Sequence, residues 1–345
     1  MRLFRRAARA RLAHRVIRRL RRAGIPGARY SASGFEVWFN VPGDVETSIV
    51  PLAPLLGRRR RELDEYLAGV LRTRNLPADW ADAAPMLRPV LRGTAPGAPL
   101  HRPAMPFLSE FVVVDHPDTI TYVTPAQLAA WDVTAERVFA TARTNLPGVV
   151  LHGSPADRPV VVRFVDDGNS YWTSHLLLPG WLDRLTGQVG GRPVAFAPER
   201  GTLLVTADGS DLLPALFAQA EEVYAKSSRS LTPMAYVSDQ DGRTIPYPAP
   251  PGHPLHNAVS RAERILAVEE YQRQAAELPG AAELRLIGSD EDGWRTRALW
   301  ERDAPILLPA ADEVLAGDRL LRWSELDLIP VAELNPPRWR AESWP

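Results

Sequence analysis

The chain has 345 residues, of which 45% are hydrophobic and 24% are charged, and it contains no cysteine. This length allows more than one compact unit, and this composition is typical of a folded, soluble protein rather than a disordered chain or a membrane-spanning bundle. The absence of cysteine excludes disulfides, thiolate nucleophiles and cysteine-bound zinc, and it fits a reducing compartment. We therefore expect a cytoplasmic protein, which is peripheral to the membrane if residues 1–23 act as an anchor.

The formal net charge is zero, but charge is distributed unevenly along the chain. Eleven arginines precede Glu36, the first acidic residue, so residues 1–35 carry +11 and the remainder carries an equal negative charge. This asymmetry indicates either an anionic partner or an acidic surface on the protein itself.

Residues 1–23 are predicted to form a basic amphipathic helix. Apolar residues recur there at three- and four-residue steps, which places them on one stripe, and the opposite face is nearly all arginine. Gly24 is a candidate C-terminal cap, and Pro26 cannot continue a helix. The stripe consists of Leu3, Phe4, Ala7, Ala8, Leu12, Val16, Ile17 and Leu20.

This helix has four interpretations. Its apolar stripe can pack on the first domain and leave the arginines in water, or the helix can lie on an anionic membrane surface. The arginines can instead bind nucleic acid or an acidic protein, although few aromatic residues interleave with them as base stacking would require. The candidate anion-binding residues are Arg5, Arg9, Arg15, Arg18, Arg19 and Arg22.

A first α+β unit is predicted over residues 24–92. Alternating residues at 35–39 and the segment 47–52 predict a hairpin, followed by a helix at 58–74 and a returning strand at 86–91. Residues 93–106 are dense in glycine, proline and alanine without apolar periodicity, which predicts a linker.

A second unit is predicted over residues 107–250. A hairpin at 110–123 leads into helices that begin at the N-cap residues Thr124 and Thr134. A strand at 160–165, a helix at 174–185, two strands, a helix at 211–227 and a last strand follow.

The C-terminal extension, residues 251–345, contains one clear helix at 258–277 and several short strands. The predicted fold class is α+β: tandem helix/hairpin/helix units with mixed or antiparallel sheets, and a C-terminal α/β appendage.

Four short sequence motifs stand out in the second unit: Trp131-Asp132-Val133-Thr134, Ala142-Arg143-Thr144-Asn145-Leu146, Asp167-Gly168 with Tyr171 and Ser174, and Leu203-Leu204-Val205-Thr206-Ala207-Asp208. With the order of elements over residues 110–247, they resemble the DUF1444 family of uncharacterised bacterial proteins. The resemblance implies an α+β fold and no established activity. Asn169 and Ser170 lengthen the family's Asp-Gly-Tyr run, and His175 stands where an arginine is expected.

The polar cluster at residues 166–175 is the weak candidate for catalysis, because it follows an apolar strand and contains Asp167, Ser174 and His175. A hydrolase would use Ser174 as the nucleophile and a distant histidine as the base. Neighbouring residues on a helix point about 100° apart, so Ser174 and His175 are not expected to pair. The alternative is that Asp167 belongs to a turn and Ser174 is a cap or packing residue.

The remaining motifs indicate no cofactor and no metal. The pair His253 and His256 supplies at most half a zinc site, and phosphate-binding glycine loops are absent from the sequence. The leading interpretation is a cytoplasmic interaction or scaffold protein that binds a protein partner at its surface. The alternatives are a hydrolase using residues 166–175 and a peripheral membrane protein anchored by residues 1–23.

Overall fold

A computed structural model describes residues 2–32, 34–40, 47–56, 63, 66–67, 76–93, 99–116, 119–146, 156, 158–165, 171–276, 278–301, 307–331, 334–341 and 344–345. The fold is α+β, with helices packed on antiparallel and mixed sheets, which confirms the predicted class. In that part of the chain, no helix combines the length and apolar character needed to cross a membrane.

The helices are α1 (Arg2–Arg22), α2 (Trp80–Ala83), α3 (Pro125–Trp131), α4 (Ala135–Thr144), α5 (Thr186–Val189), α6 (Leu213–Lys226) and α7 (His256–Ala275). Short 3₁₀ segments cover Ala53–Leu55, Ala84–Met86, Trp172–Leu177, Leu182–Leu185 and Trp323–Glu325.

The strands are β1 (Arg29–Ser31), β2 (Glu36–Asn40), β3 (Thr47–Pro51), β4 (Leu87–Arg92), β5 (His101–Met105), β6 (Leu108–His116), β7 (Thr119–Tyr122), β8 (Val162–Val165), β9 (Pro193–Glu199), β10 (Thr202–Ala207), β11 (Ala235–Ser238), β12 (Thr244–Pro246), β13 (Glu283–Ser289), β14 (Gly293–Trp300), β15 (Leu307–Pro309), β16 (Glu313–Ala316), β17 (Arg319–Arg322), β18 (Leu328–Val331) and β19 (Arg338–Ala341).

The first sheet has the order β1-β2-β3-β7-β6-β4, and β5 pairs with the first half of β6. Because side chains alternate along a strand, its two faces differ. One face buries Val37, Val50 and Leu52 against α1, and it buries Val112 and Val114 against α3 and α4. The opposite face carries a second apolar cluster formed by Ile49, Val90, Phe111, Val113 and Tyr122.

This sheet crosses the predicted boundary at residues 93–106. Residues 101–105 of the predicted linker form β5, and β7 from the second unit pairs with β3 from the first. Strand β5 was not predicted because it contains Pro103. Proline has no backbone N–H to donate to a neighbouring strand, so within sheets it is confined to edge strands, strand starts and bulges. The pairing of β3 with β7 joins residues that are far apart in the sequence, so no local sequence pattern predicts it.

The second sheet has the order β12-β11-β9-β10-β8. Its strands β9 and β10 are buried along most of their length, with α6 on one side and the 3₁₀ segments on the other. The sequence predicted one helix at 174–185, but the chain forms two 3₁₀ segments there, at 172–177 and 182–185. Pro179 and Gly180, whose φ is +70°, interrupt the run and prevent a continuous helix.

The C-terminal residues form a sheet of order β13-β14-β16-β17 and a smaller one of order β15-β19-β18. The pairing of β14 with β16 is parallel. Helix α7 connects this region to the second sheet, since Leu266 packs in the core of that sheet while Val268 and Tyr271 pack against β13, β14 and β16. The extension is therefore joined to the body through a shared helix.

Candidate functional site

Helix α1 is docked on the first sheet by its apolar stripe. Leu12, Ala13, Val16 and Leu20 are buried against the sheet, and Val16 and Leu20 have no exposed surface. The helix ends as predicted: Gly24 has a φ of +86°, its N–H donates to Arg21 O at 3.1 Å, and the N–H of Ile25 donates to Leu20 O at 3.0 Å. These two bonds form a Schellman motif.

The docking leaves the arginine face of α1 outward. Arg15, Arg18 and Arg22 are exposed, as is Arg11. Arg18 lies 3.0 Å from the ring of His14, so two basic side chains share one turn. Arg9 is half-buried, with its guanidinium 4.8 Å from the ring of Phe35.

Of the other predicted arginines in α1, Arg19 is half-buried, and the side chain of Arg5 lies outside the described residues. The predicted anion-binding residues are therefore divided between an exposed row and positions that contact the protein itself.

The second predicted cluster is only partly described. Asp167 lies outside the described residues, while Ser174 is 2% exposed and His175 is 0% exposed. The ring of His175 packs between Trp172 and Trp181, with centroid distances of 5.4 and 5.0 Å, and its Nδ1 lies 3.2 Å from Tyr171 O. A substrate would not reach either side chain without movement of this segment.

His253 and His256, in the C-terminal extension, both lie within hydrogen-bonding distance of backbone atoms. His253 Nδ1 accepts a hydrogen bond from the N–H of Leu255 at 3.1 Å, and His256 Nδ1 lies 2.8 Å from Ala249 O. No group of three or more potential metal ligands occurs among the residues that the structure describes.

Residues in two of the sequence motifs quoted above, Asp132 and the pair Arg143 and Asn145, occupy structural positions. Arg143 forms a bidentate ion pair with the fully buried Glu110, and Asn145 donates to Ala84 O at 2.6 Å and to Leu87 O at 3.0 Å. Asp132 ends α3 with a φ of +52°, a left-handed conformation that Asp tolerates better than most residues. Arg143 and Asn145 therefore join the end of α4 to the first sheet and to the 3₁₀ segment before β4, while Asp132 ends α3.

A cluster of charged side chains lies where the first sheet meets the second. Glu36 begins β2 and is 4% exposed. Arg200, in the turn between β9 and β10, contacts it through Nη1 and Oε1 at 2.5 Å, and Trp38 Nε1 donates to Oε2 at 3.2 Å. The turn itself is held by the backbone bond from Arg200 N–H to Arg229 O at 3.0 Å.

Arg92, the last residue of β4, completes this arginine cluster of Arg92, Arg200 and Arg229. It is 6% exposed, and its Nη1 donates to the carbonyl of Leu91 at 2.6 Å. Among the described residues, the Nε atoms of Arg92 and Arg200 are buried without an acceptor. Burial and repulsion from Arg200 lower the pKa of Arg92 to about 10, with Glu36 and Tyr122 acting in the opposite direction.

Tyr171 lies beside this cluster on the same face of the sheet as Tyr122 and Val113. Its backbone has a φ of +49°, which is uncommon for a bulky residue. Burial raises the pKa of its hydroxyl, and its hydrogen bond to Asp115 acts in the same direction.

The sequence did not predict the arginine cluster, because its members come from β4, the β9–β10 turn and the loop before β11. The available signal was limited to alternation in β2, which places Glu36 and Trp38 on one face.

No family model, no curated protein and no solved structure matches this chain.

Proposed function

We propose that the chain is an interaction protein that binds an acidic protein partner through the exposed arginines of α1. The observation that carries this proposal is that Leu12, Val16 and Leu20, in the described part of the apolar stripe, are buried against the first sheet, whereas Arg15, Arg18 and Arg22 remain exposed. A helix in this docked state offers charge and hydrogen-bond donors to a partner, rather than an apolar face.

The burial of this stripe also favours a protein partner over a membrane anchor. Insertion into a bilayer needs free apolar side chains, and Leu12 and Leu20 are 8% and 0% exposed. The hydrolase alternative gains no support from Ser174 and His175, since both are buried. An acidic protein surface needs neither insertion nor a catalytic cleft.

We also propose that residues 107–250 are a divergent DUF1444-like unit and that the protein acts in the cytoplasm. The structural roles of Arg143 and Asn145, which connect α4 to the first sheet, and of Asp132, which ends α3, support the first point, because residues in such positions are constrained by the fold. The cysteine-free sequence supports the second.

The proposal is tested with a fluorescent 20-residue poly-glutamate peptide, whose binding is followed by anisotropy at several salt concentrations. The test variant replaces Arg15, Arg18 and Arg22 with glutamine. The matched control replaces Arg184, Arg295 and Arg319, three exposed arginines elsewhere, and makes the same change in net charge.

We expect the α1 variant to bind about tenfold more weakly, because each surface charge contributes roughly 0.2–1 kcal/mol, and we expect the control to bind as the wild type does. Vesicles of 70% phosphatidylcholine and 30% phosphatidylserine and a 20-base-pair DNA duplex are titrated in parallel. Equal weakening in both variants, or α1-dependent binding to vesicles or DNA alone, would overturn the proposal of a protein partner.

A further inference from the structure

We propose that β17 is an open edge strand that pairs with an extended segment of a partner protein, and that this segment has two apolar residues between two acidic ones. Strand β17 ends the sheet of order β13-β14-β16-β17 and, among the described strands, pairs with β16 alone. It belongs to a different sheet from the one on which α1 docks, so this proposal does not depend on the proposed function.

The first argument is that β17 is exposed. Leu320 is 55% exposed, and Arg319 and Arg322 are exposed as well. A strand at the edge of a sheet presents a row of unpaired backbone N–H and C=O groups, which can form hydrogen bonds with a further strand. This edge therefore offers backbone hydrogen bonds together with an accessible apolar side chain.

The second argument is the order of side chains along β17, which has an arginine at each end and two leucines between them. Opposite charges that face each other across paired strands are favourable, and so are facing apolar side chains. Leu321 packs at the edge of the C-terminal core, so an apolar residue opposite it would extend that core. An apolar residue opposite Leu320 would cover its exposed surface on the other face of the sheet.

Strand β16 already pairs with β17 in this way on its inner side. In their antiparallel register Glu313 lies opposite Arg322. The next two residues of β16, a valine and a leucine, lie opposite Leu321 and Leu320. Arg319 faces an alanine, so β16 places no carboxylate opposite that end of β17. A strand on the outer side can repeat the pairing of acidic with basic and apolar with apolar residues, and can add the missing carboxylate.

The same order of side chains argues against a second copy of this chain as the occupant. Two β17 strands paired antiparallel and in register would place Arg319 of each copy opposite Arg322 of the other. Parallel pairing in register would place each arginine opposite its own counterpart. Like charges directly opposite each other are destabilising, and charged residues on edge strands oppose such self-association. An acidic segment converts the same repulsion into attraction.

The test is fluorescence anisotropy of the intact chain with a labelled eight-residue peptide, in which glutamate-valine-valine-glutamate stands between two pairs of serines. We expect a dissociation constant of roughly 0.1–1 mM, because a short strand makes few contacts. A peptide of the same composition with valine-glutamate-glutamate-valine at its centre should bind about tenfold more weakly or less, because it places carboxylates opposite the leucines. Poly-glutamate has the same defect, so it is not a ligand of this edge.

The protein variants reverse the charge at the two ends of β17. Arg319→Glu combined with Arg322→Glu should weaken binding of the acidic peptide about tenfold or more, and it should bind a lysine-valine-valine-lysine peptide that the wild type does not bind. Arg184→Glu combined with Arg243→Glu, at exposed positions in other elements, makes the same change in net charge and should bind as the wild type does. The α1 variant described above should also retain binding.

Three results would overturn the proposal: equal affinity for the two acidic peptides, equal weakening in the two charge-reversal variants, or failure of the β17 variant to bind the lysine peptide. Unchanged binding after N-methylation of either valine would also overturn it, because one of two successive N–H groups must face β17 in a ladder. Sedimentation velocity checks the remaining occupant. A wild-type dimer that Leu320→Glu abolishes would assign this edge to a second copy instead.

Discussion

Arg143 donates two parallel hydrogen bonds to Glu110, from Nε to Oε1 and from Nη2 to Oε2, each at 2.8 Å. Glu110 lies in β6 with no exposed surface, and Arg102 Nε adds a third bond at 2.6 Å. The pair joins α4 to β6 of the first sheet. A carboxylate held in this way is sensitive to the loss of its stronger partner.

We expect Arg143→Met to lower the free energy of unfolding by about 3 kcal/mol, because it removes two charge-assisted bonds from a buried carboxylate. Arg102→Met is the matched control and should cost about 1 kcal/mol or less, since Arg102 is 38% exposed and makes one bond to Glu110. Urea unfolding followed by circular dichroism measures both. Equal losses would show that the bidentate geometry is unimportant.

The docking of α1 can be tested with two chemically identical substitutions. Leu20 lies on the face of α1 that packs on the first sheet and is fully buried, whereas Leu320 in β17 is 55% exposed. We expect Leu20→Ala to cost about 2–5 kcal/mol of unfolding free energy through lost transfer energy and a cavity. We expect Leu320→Ala to change it by about 0.5 kcal/mol or less. If Leu20→Ala left the free energy of unfolding unchanged, the packing of α1 on the sheet would not contribute to stability.

His116 should make stability depend on pH. It is 9% exposed, and burial lowers the pKa of its imidazole below the ordinary 6.5, while Asp115 partly opposes the shift. The unfolded chain therefore takes up this proton first as pH falls, so the contribution of His116 to stability is present above about pH 6.5 and is lost below it.

The measurement is the free energy of unfolding of the wild type and of His116→Gln between about pH 5 and pH 8, the range in which histidine titrates. The variant should show a flatter decline toward acid. His14→Gln, at an exposed position in α1, is the control and should retain the wild-type slope. Identical slopes in all three proteins would contradict the assignment.

Arg338 should hold the C-terminal sheets to α7. It is fully buried and donates to Gln274 Oε1 at 2.5 Å, Leu307 O at 2.7 Å, Tyr271 O at 3.0 Å and Ala282 O at 3.1 Å. We expect Arg338→Met to destabilise this region by about 3 kcal/mol or more, because several buried acceptors lose their donor.

Hydrogen exchange of the β13 and β19 amides measures that loss, and it should report faster exchange there than in the first sheet. Arg340, an exposed residue two positions further along β19, provides the control as Arg340→Met. Equal protection in the two variants would show that Arg338 is dispensable.

Local features of this fold were predictable because local physics governs them. Gly24 ends α1 as expected, Thr134 accepts from the N–H of Arg137 at 3.3 Å as an N-cap, and β2 pairs with β3 as the predicted hairpin. Each depends on residues within a few positions of one another. The 3₁₀ segments at 172–177 and 182–185 were mispredicted, because an apolar run outweighed the breaking effect of Pro179 and Gly180.

The sequence by itself determined the α+β class, most helix and strand positions, and the segregation of eleven arginines into the first 35 residues. Only the tertiary structure decided that β7 pairs with β3 across the predicted linker, and that Arg92 and Arg200 converge on Glu36. The reason is that periodicity and capping record contacts between neighbours in the chain. The packing of the whole molecule pairs distant strands and brings charged residues from separate segments together. Such contacts have no regular spacing in the sequence, so periodicity does not predict them.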